Sequence, residues 1–300
     1  MSSATDLAET KHAGEDGSTL EAPPAEPQPQ RPQPPLSTKT SRSLSASTDG
    51  LVLFDLTNEV GGTLAFSPHC MKSIIDLKLL GVGYERQRLS FVQVRRDLEK
   101  RIGQGVTVPS LELSDGSHLT DSWKIAEYLE AKHPRGFLLF PNSAVKSYAA
   151  SLNEFGKLLA PHIGALTIPQ IAQKLDEPSR EYFIDSKIGQ ARFGRLSGLG
   201  EEEKEGHVQS AKKMLGIVES SLACEAAKAD AGSVQSGGNR WLAGTELPSH
   251  ADACLFGWYC YTRSAGDAAT REIWFEHEHL KKWVKDMIQW CGPEITNDLI

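Results

Sequence analysis

An α/β domain with the element order βαβαββα, followed by an all-helical half, is the architecture that this 300-residue chain predicts. Between Leu51 and about Lys132, short apolar or alternating runs trade places with helical spacings, whereas beyond Pro141 strand patterns largely stop and helical spacings recur. A third feature sets where folding begins. Seven of the sixteen prolines fall between Pro23 and Pro35 with Ser/Thr-rich flanks, a composition that cannot bury enough apolar surface to offset its ordering entropy. The expected division is a disordered tail over 1–50, an α/β domain over 51–140 and an all-helical domain over 141–300.

Each element has a local reason. Leu51-Val-Leu-Phe-Asp-Leu56 is short, apolar and bounded by Thr57-Asn58 and Gly61-Gly62, as a buried strand is. Ser67-Pro68 opens a helix, serine as N-cap and proline at the first helical position, and Met71, Ile74, Ile75, Leu77 and Leu80 give it an apolar side up to Gly81. Tyr84 to Phe91 alternates as a second strand, Val94 to Ile102 reads as a short charged helix, and Ser110 to Ser114 alternates again before the hairpin turn Asp115-Gly116. A fourth strand around Leu119 leads to Asp121-Ser122, which caps a helix running to about Lys132. Downstream, helices are expected in Ala149–Leu159, Ser179–Ile188, Glu201–Ala227, Ala251–Thr262 and His279–Trp290, with a Gly/Ser-rich loop over 230–239.

Composition removes whole classes of function. With 32 basic and 39 acidic side chains the net charge is -7, so no nucleic-acid partner is expected. No run approaches the ~18 apolar residues of a membrane span, and the N-terminus lacks a secretory layout; its acids, Asp6, Glu9, Glu15 and others, argue against a mitochondrial transit peptide. Cytoplasmic residence is the expectation. Five scattered cysteines fit free thiols rather than a disulfide framework, and no metal site is expected. Glu276-His-Glu-His279 reads as a solvated turn, because the two histidines would project about 200° apart on a helix. Gly81-x-Gly83 follows a helix and precedes a strand, the reverse of a dinucleotide-binding turn.

Three local motifs, read together, carry a resemblance: Ser67-Pro-His-Cys70, Thr107-Val-Pro-Ser110, and Thr120-Asp-Ser-Trp-Lys-Ile-Ala-Glu-Tyr-Leu129. Over roughly Leu51 to Pro293 the chain resembles the glutathione transferases, whose first domain is thioredoxin-like and whose second is helical. Glu177-Pro-Ser-Arg-Glu-Tyr-Phe183 and Arg192-Phe-Gly-Arg195 look like the fungal FuA class, which is related to bacterial β-etherases. In the helical half, Ser249-x-x-Asp252 resembles the family's buried N-capping motif and is structural.

The resemblance assigns roles to residues that also have plainer readings. Val108-Pro109 alone is a trans proline at a strand's first position, where the missing N–H costs little; the family implies a cis bond that turns the backbone of Val108 toward the cysteinyl part of glutathione. Asp121-Ser122 alone is an N-cap; the family implies that Ser122 and the helix's N–H groups hold the γ-glutamyl carboxylate while Asp121 meets the ammonium group. Ser67 stands where redox relatives carry the first cysteine of Cys-Pro-x-Cys, which disfavours disulfide exchange. Its hydroxyl can instead donate to the glutathione sulfur. Such a bond to a charged acceptor is worth about 1.5 to 3 kcal/mol, and one pKa unit is about 1.4 kcal/mol, so an acidification of one to two units is within reach. His69 is a candidate second donor, and Cys70 is read as packing.

The expectation is therefore a glutathione transferase of detoxifying type that activates the thiol of glutathione, its co-substrate, against a small hydrophobic electrophile in a cleft between the domains. Aryl-ether cleavage and a homodimer are implied by the resemblance alone. A non-catalytic binding or scaffolding module with the same fold is the alternative from another class, and glutathione titration separates the two.

Overall fold

The computed structural model describes residues 50–133, 138–230, 241–297 and 299. The tail expected over 1–50 and the loop expected over 230–239 lie, apart from Gly50 and Asp230, outside the described residues.

Strand β1 (Leu51–Leu56) is the second of four in the sheet. It pairs in parallel with β2 (Tyr84–Leu89), Leu51 opposite Tyr84, and antiparallel with β3 (Ser110–Glu112), Leu53 opposite Leu111. Strand β4 (His118–Thr120) closes the edge antiparallel to β3, giving the order β2-β1-β3-β4. Alternation along β1 sends its side chains to two faces. Leu51 and Leu53 join the core of α1 (Pro68–Leu80) and α4 (Ser122–Lys132), with Ile74, Ile75, Ile125 and Leu129. Phe54 and Leu56 join a second cluster with Phe91, Val94 and Leu98. The two helices thus cover one face, and the element order is βαβαββα.

Helix starts follow their side chains. Ser67 caps α1, its Oγ accepting from the Cys70 N–H at 3.3 Å, and Gly81 ends the helix in the left-handed region at φ 62°. The helix expected from Val94 begins earlier, at Phe91. Ser90 and Gln93 form a reciprocal capping box there, and α2 (Phe91–Gln93) runs through a π-helical stretch, Val94–Leu98, into α3 (Glu99–Ile102).

In the helical half the expected piece Ala149–Leu159 belongs to a far longer helix, α5 (Ser143–Lys174), which continues past Pro161 and Pro169. A proline inside a helix costs about 3 kcal/mol, but Leu159, Ile163, Ile168 and Ile171 form a buried stripe on both sides of these breaks, and tertiary packing decides. Then come α6 (Glu177–Tyr182) with a π-helical continuation over Phe183–Ile188, α7 (Gln190–Ser197), α8 (Glu201–Asp230), α9 (His250–Thr262), α10 (Asp267–Trp274), α11 (Glu278–Cys291) and α12 (Pro293–Thr296). Three of these, α7, α10 and α12, are too short for periodicity to reveal.

Helix α9 is the hub. All but one of its thirteen residues are buried, and both α1 and α5 pack on it. Ser249 and Asp252 form the capping box at its start, and Asp252 also accepts from the Leu242 N–H and the Trp283 Nε1–H, fastening α9 to α11. Among the described residues no helix is long and apolar enough to cross a membrane.

Candidate functional site

The N-terminus of α1 meets α9 at a glycine. A β-carbon on Gly257 would lie 2.3 Å from the Pro68 carbonyl oxygen, so only glycine lets the Ser67-Pro68-His69 turn approach this closely. One residue on, Trp258 fits against α5 because position 156 is also glycine; a β-carbon there would be 1.9 Å from the indole Nε1. The indole in turn meets the His69 ring edge-on, 6.1 Å between centroids.

A cleft of about 290 Å³ opens at this corner between the sheet domain and the helices. Ser67, His69, Thr107 and Val108 lie on one wall; Gly164, Ile168, Tyr182, Phe183, Trp258 and Tyr261 lie on the other. Its size is near the lower end for small-molecule sites and its walls are largely aromatic and aliphatic.

Ser67 is partly exposed at the mouth of this cleft. Its oxygen accepts from Cys70 N–H as a helix cap, and its own O–H has the Cys70 sulfur within reach, so a ligand at the cleft mouth competes with that thiol for the proton. His69 is exposed at the cleft, with its ring packed edge-on against Trp258 on one side. Burial of the ring against the helices, and then the Lys72 ammonium, lower its pKa to about 4, so it is neutral and brings an N–H rather than a charge. Cys70 is buried, and burial followed by the Asp55 carboxylate pushes its thiol well up, which makes it a packing residue.

The Val108–Pro109 peptide bond is cis, with Val108 on the cleft and Pro109 buried at the head of β3. Asp121 stands apart from the cleft lining at the start of α4. Its backbone is at φ 93°, ψ 123°, a region costly for a residue other than glycine and often kept at functional sites. The helix terminus differs here from the sequence expectation. The N–H groups of Trp123 and Lys124 are already taken by Asp121 Oδ1, at 2.9 and 3.1 Å, so they are not free for a carboxylate. The Ser122 hydroxyl, on a side chain nearly buried at 5 % exposure, and the Ser122 N–H are what remain. The Asp121 charge is felt at His69, where it opposes the fall in pKa, which ties this corner to the cleft.

Sequence reasoning missed Gly257, Gly156 and Trp258, and it missed the basic residues Arg95, Lys187 and Arg192 on the lining. Gly257 had a signal: a glycine inside an otherwise apolar helix costs about 1 kcal/mol and marks close approach.

A mixed four-stranded sheet of this order, backed by two helices and joined to a helical domain by an interdomain cleft, is the architecture of one family. A family model described as the glutathione S-transferase N-terminal domain matches residues 66–132, and one described as the glutathione S-transferase C-terminal domain matches residues 149–290. Together they cover well over half of the chain, which belongs to the glutathione S-transferases. A comparison with curated proteins finds no match. Among solved structures the chain is similar to glutathione transferase GSTFuA3 from Phanerochaete chrysosporium, at 20 % identity and TM-score 0.62 over 81 % of this chain and 98 % of that one. It is similar to CsGST63524 of Ceriporiopsis subvermispora, solved in complex with glutathione, at 17 % identity and TM-score 0.65 over 80 % and 97 %. It is also similar to the β-etherase LigF from Sphingobium sp. strain SYK-6, at 20 % identity and TM-score 0.56 over 83 % and 99 %. At these identities the likeness speaks for the fold.

Proposed function

We propose that the chain binds reduced glutathione on residues 51–140 and joins it through its sulfur to a hydrophobic electrophile held against the helices of 141–300. The observation that carries this reading is the Ser67 hydroxyl, pinned at the N-cap of α1 and opening onto an apolar cleft beside Val108. Val108 would pair with the cysteinyl backbone, Ser122 would donate to the γ-glutamyl carboxylate, and Asp121, with one carboxylate oxygen outside the cap bonds, would meet the ammonium group. Ser67 would donate to the sulfur and, together with the positive end of α1, favour the thiolate. The thiolate then attacks an electrophilic carbon, a C–S bond forms, and the leaving group departs with the bonding pair. For an aryl ether that group is an aryloxide, to which the neutral His69 N–H on the cleft lining would offer a hydrogen bond. The similarity to a β-etherase makes aryl ethers the first substrates to try. A cytoplasmic homodimer with a detoxifying role accompanies this reading.

Calorimetric titration with glutathione, followed by conjugation assays with 1-chloro-2,4-dinitrobenzene and aryl ethers, tests it. Binding with turnover is expected; no glutathione binding would leave neither the site nor the function standing. Ser67→Cys is sharper still. It creates Cys-Pro-His-Cys at a helix N-terminus, where a thiol is acidified. Attack of its thiolate on oxidised glutathione gives a mixed disulfide and releases reduced glutathione, so mass spectrometry should map one glutathione to the introduced thiol. An adduct only on Cys70 would contradict the placement.

A further inference from the structure

The charged groups lining the cleft are all basic. Arg95 comes from the sheet domain, Lys187 and Arg192 from the helical domain, and no carboxylate shares the described lining, in a chain whose net charge is -7. Arg95 is compensated: it pairs with Glu99 at 2.6 Å, bonds the Val106 carbonyl and lies over the Tyr182 ring. Lys187 and Arg192 have no ion-pair partner among the described residues. Asp185, the nearest acid in sequence to Lys187, instead accepts from Gln190 at 2.9 Å.

The backbone places these two cations deliberately. Lys187 sits in the π-helical stretch Phe183–Ile188, a form of helix often found at functional sites, and Gly189 at φ 87° turns the chain so that α7 brings Arg192 back to the same cleft. Lys187 and Arg192 are both exposed at the rim of the cavity, where the positive field they share attracts an anion.

We infer that the second substrate is an aromatic anion, its ring against Phe91, Phe183 and Trp258 and its carboxylate or similar group held by Lys187 and Arg192. This rests on the reading of the cleft as the seat of the electrophile. An uncharged electrophile of the same shape would fill the apolar walls but leave both cations without a counter-charge.

The test uses the full chain and two matched probes, 2-naphthoate and 2-naphthamide, titrated by calorimetry at low ionic strength without glutathione. At least tenfold tighter binding of the carboxylate is expected, about 1.4 kcal/mol, shrinking with added salt. The double variant Lys187→Gln/Arg192→Gln should bind both probes alike while keeping its amide affinity, which also shows that it is folded. Glutathione affinity should be unchanged in that variant. Equal affinities in the unmodified chain, a preference that survives the double substitution, or a loss confined to glutathione binding would each overturn the inference. If neither probe binds, the cleft is not the electrophile's seat and the underlying reading falls with the inference. If glutathione fails to bind while the carboxylate preference holds, the anion seat stands and the transferase reading does not.

Discussion

The seam between α1 and the helical domain has a closed stretch and an open one, and they are built from opposite materials. In the closed stretch, one turn apart on α1, Lys72 donates to Asn153 Oδ1 at 2.6 Å and Asp76 meets His250 Nδ1 at 2.9 Å, all within a seam where Lys72, Asp76 and His250 are fully buried. The Trp123 and Phe140 rings frame His250 edge-on at 5.3 and 5.2 Å. In the open stretch the same helix presents Ser67 and His69 to a cavity lined with rings and unpaired cations. The closed stretch pairs Lys72 with Asn153 and Asp76 with His250 across the seam, and the open stretch leaves its polar groups for something else. A buried ion pair gains little over well-packed apolar residues but is costly to break, so the closed stretch fixes the orientation at which the open one is presented.

Breaking the pair should have the largest effect. His250→Ala leaves Asp76 buried without its cation and should cost about 3 to 5 kcal/mol, read as a fall in melting temperature. Burial alone would lower the His250 pKa, but the Asp76 carboxylate outweighs it and raises it to about 10. The sign follows from proton binding: between the ordinary value of 6.5 and about 10 the folded chain holds a proton that the unfolded chain has released. This contribution is fully present below about pH 6.5 and is lost as pH rises toward 10. Melting temperatures of the native chain against His250→Gln across that range should converge at high pH; parallel curves would show a neutral contact.

Gly257→Ala tests the hinge point of the two stretches. The added methyl must push the Pro68 carbonyl away, at about 1 to 3 kcal/mol for overpacking. Because Ser67 moves with Pro68, conjugation should fall even where the protein is fully folded, and an active Gly257→Ala variant would mean that the turn tolerates displacement. Ser122→Ala, at the opposite corner of the site, should weaken glutathione binding by about 1 to 3 kcal/mol with no change in melting temperature, since a hydrogen bond to a charged ligand is lost. Affinity equal to that of the native chain would remove Ser122 from the site.

The open stretch was the more legible of the two in the sequence, because its residues sit in local motifs. Ser67-Pro68 announces a cap and first turn, Asp121-Ser122 another, and both lie where expected. Ser90-x-x-Gln93 carried an equally local signal that places the start of α2, although alternation through Phe91 masked it. The closed stretch could not be read this way. Asp76 and His250 are 174 residues apart, and nothing near either one announces its partner. The place of Lys187 and Arg192 escaped for a related reason: Lys187 looks like an ordinary surface cation and Arg192 is legible only as part of the Arg192-Phe-Gly-Arg195 motif until the turn at Gly189 brings both to one cavity. The length of α5 was hidden by prolines whose local cost is outweighed by burial that only the folded chain supplies.

The central claim is that Ser67 acts on sulfur, beyond capping α1. Its most direct test is ultraviolet titration of the thiolate of bound glutathione in the native chain and in Ser67→Ala. Loss of the donor should raise the pKa of the bound thiol by about one to two pH units, corresponding to about 1.5 to 3 kcal/mol, with glutathione still bound through the other contacts. An unchanged thiol pKa in Ser67→Ala, with glutathione bound, would reduce Ser67 to a helix cap and contradict the proposed mechanism.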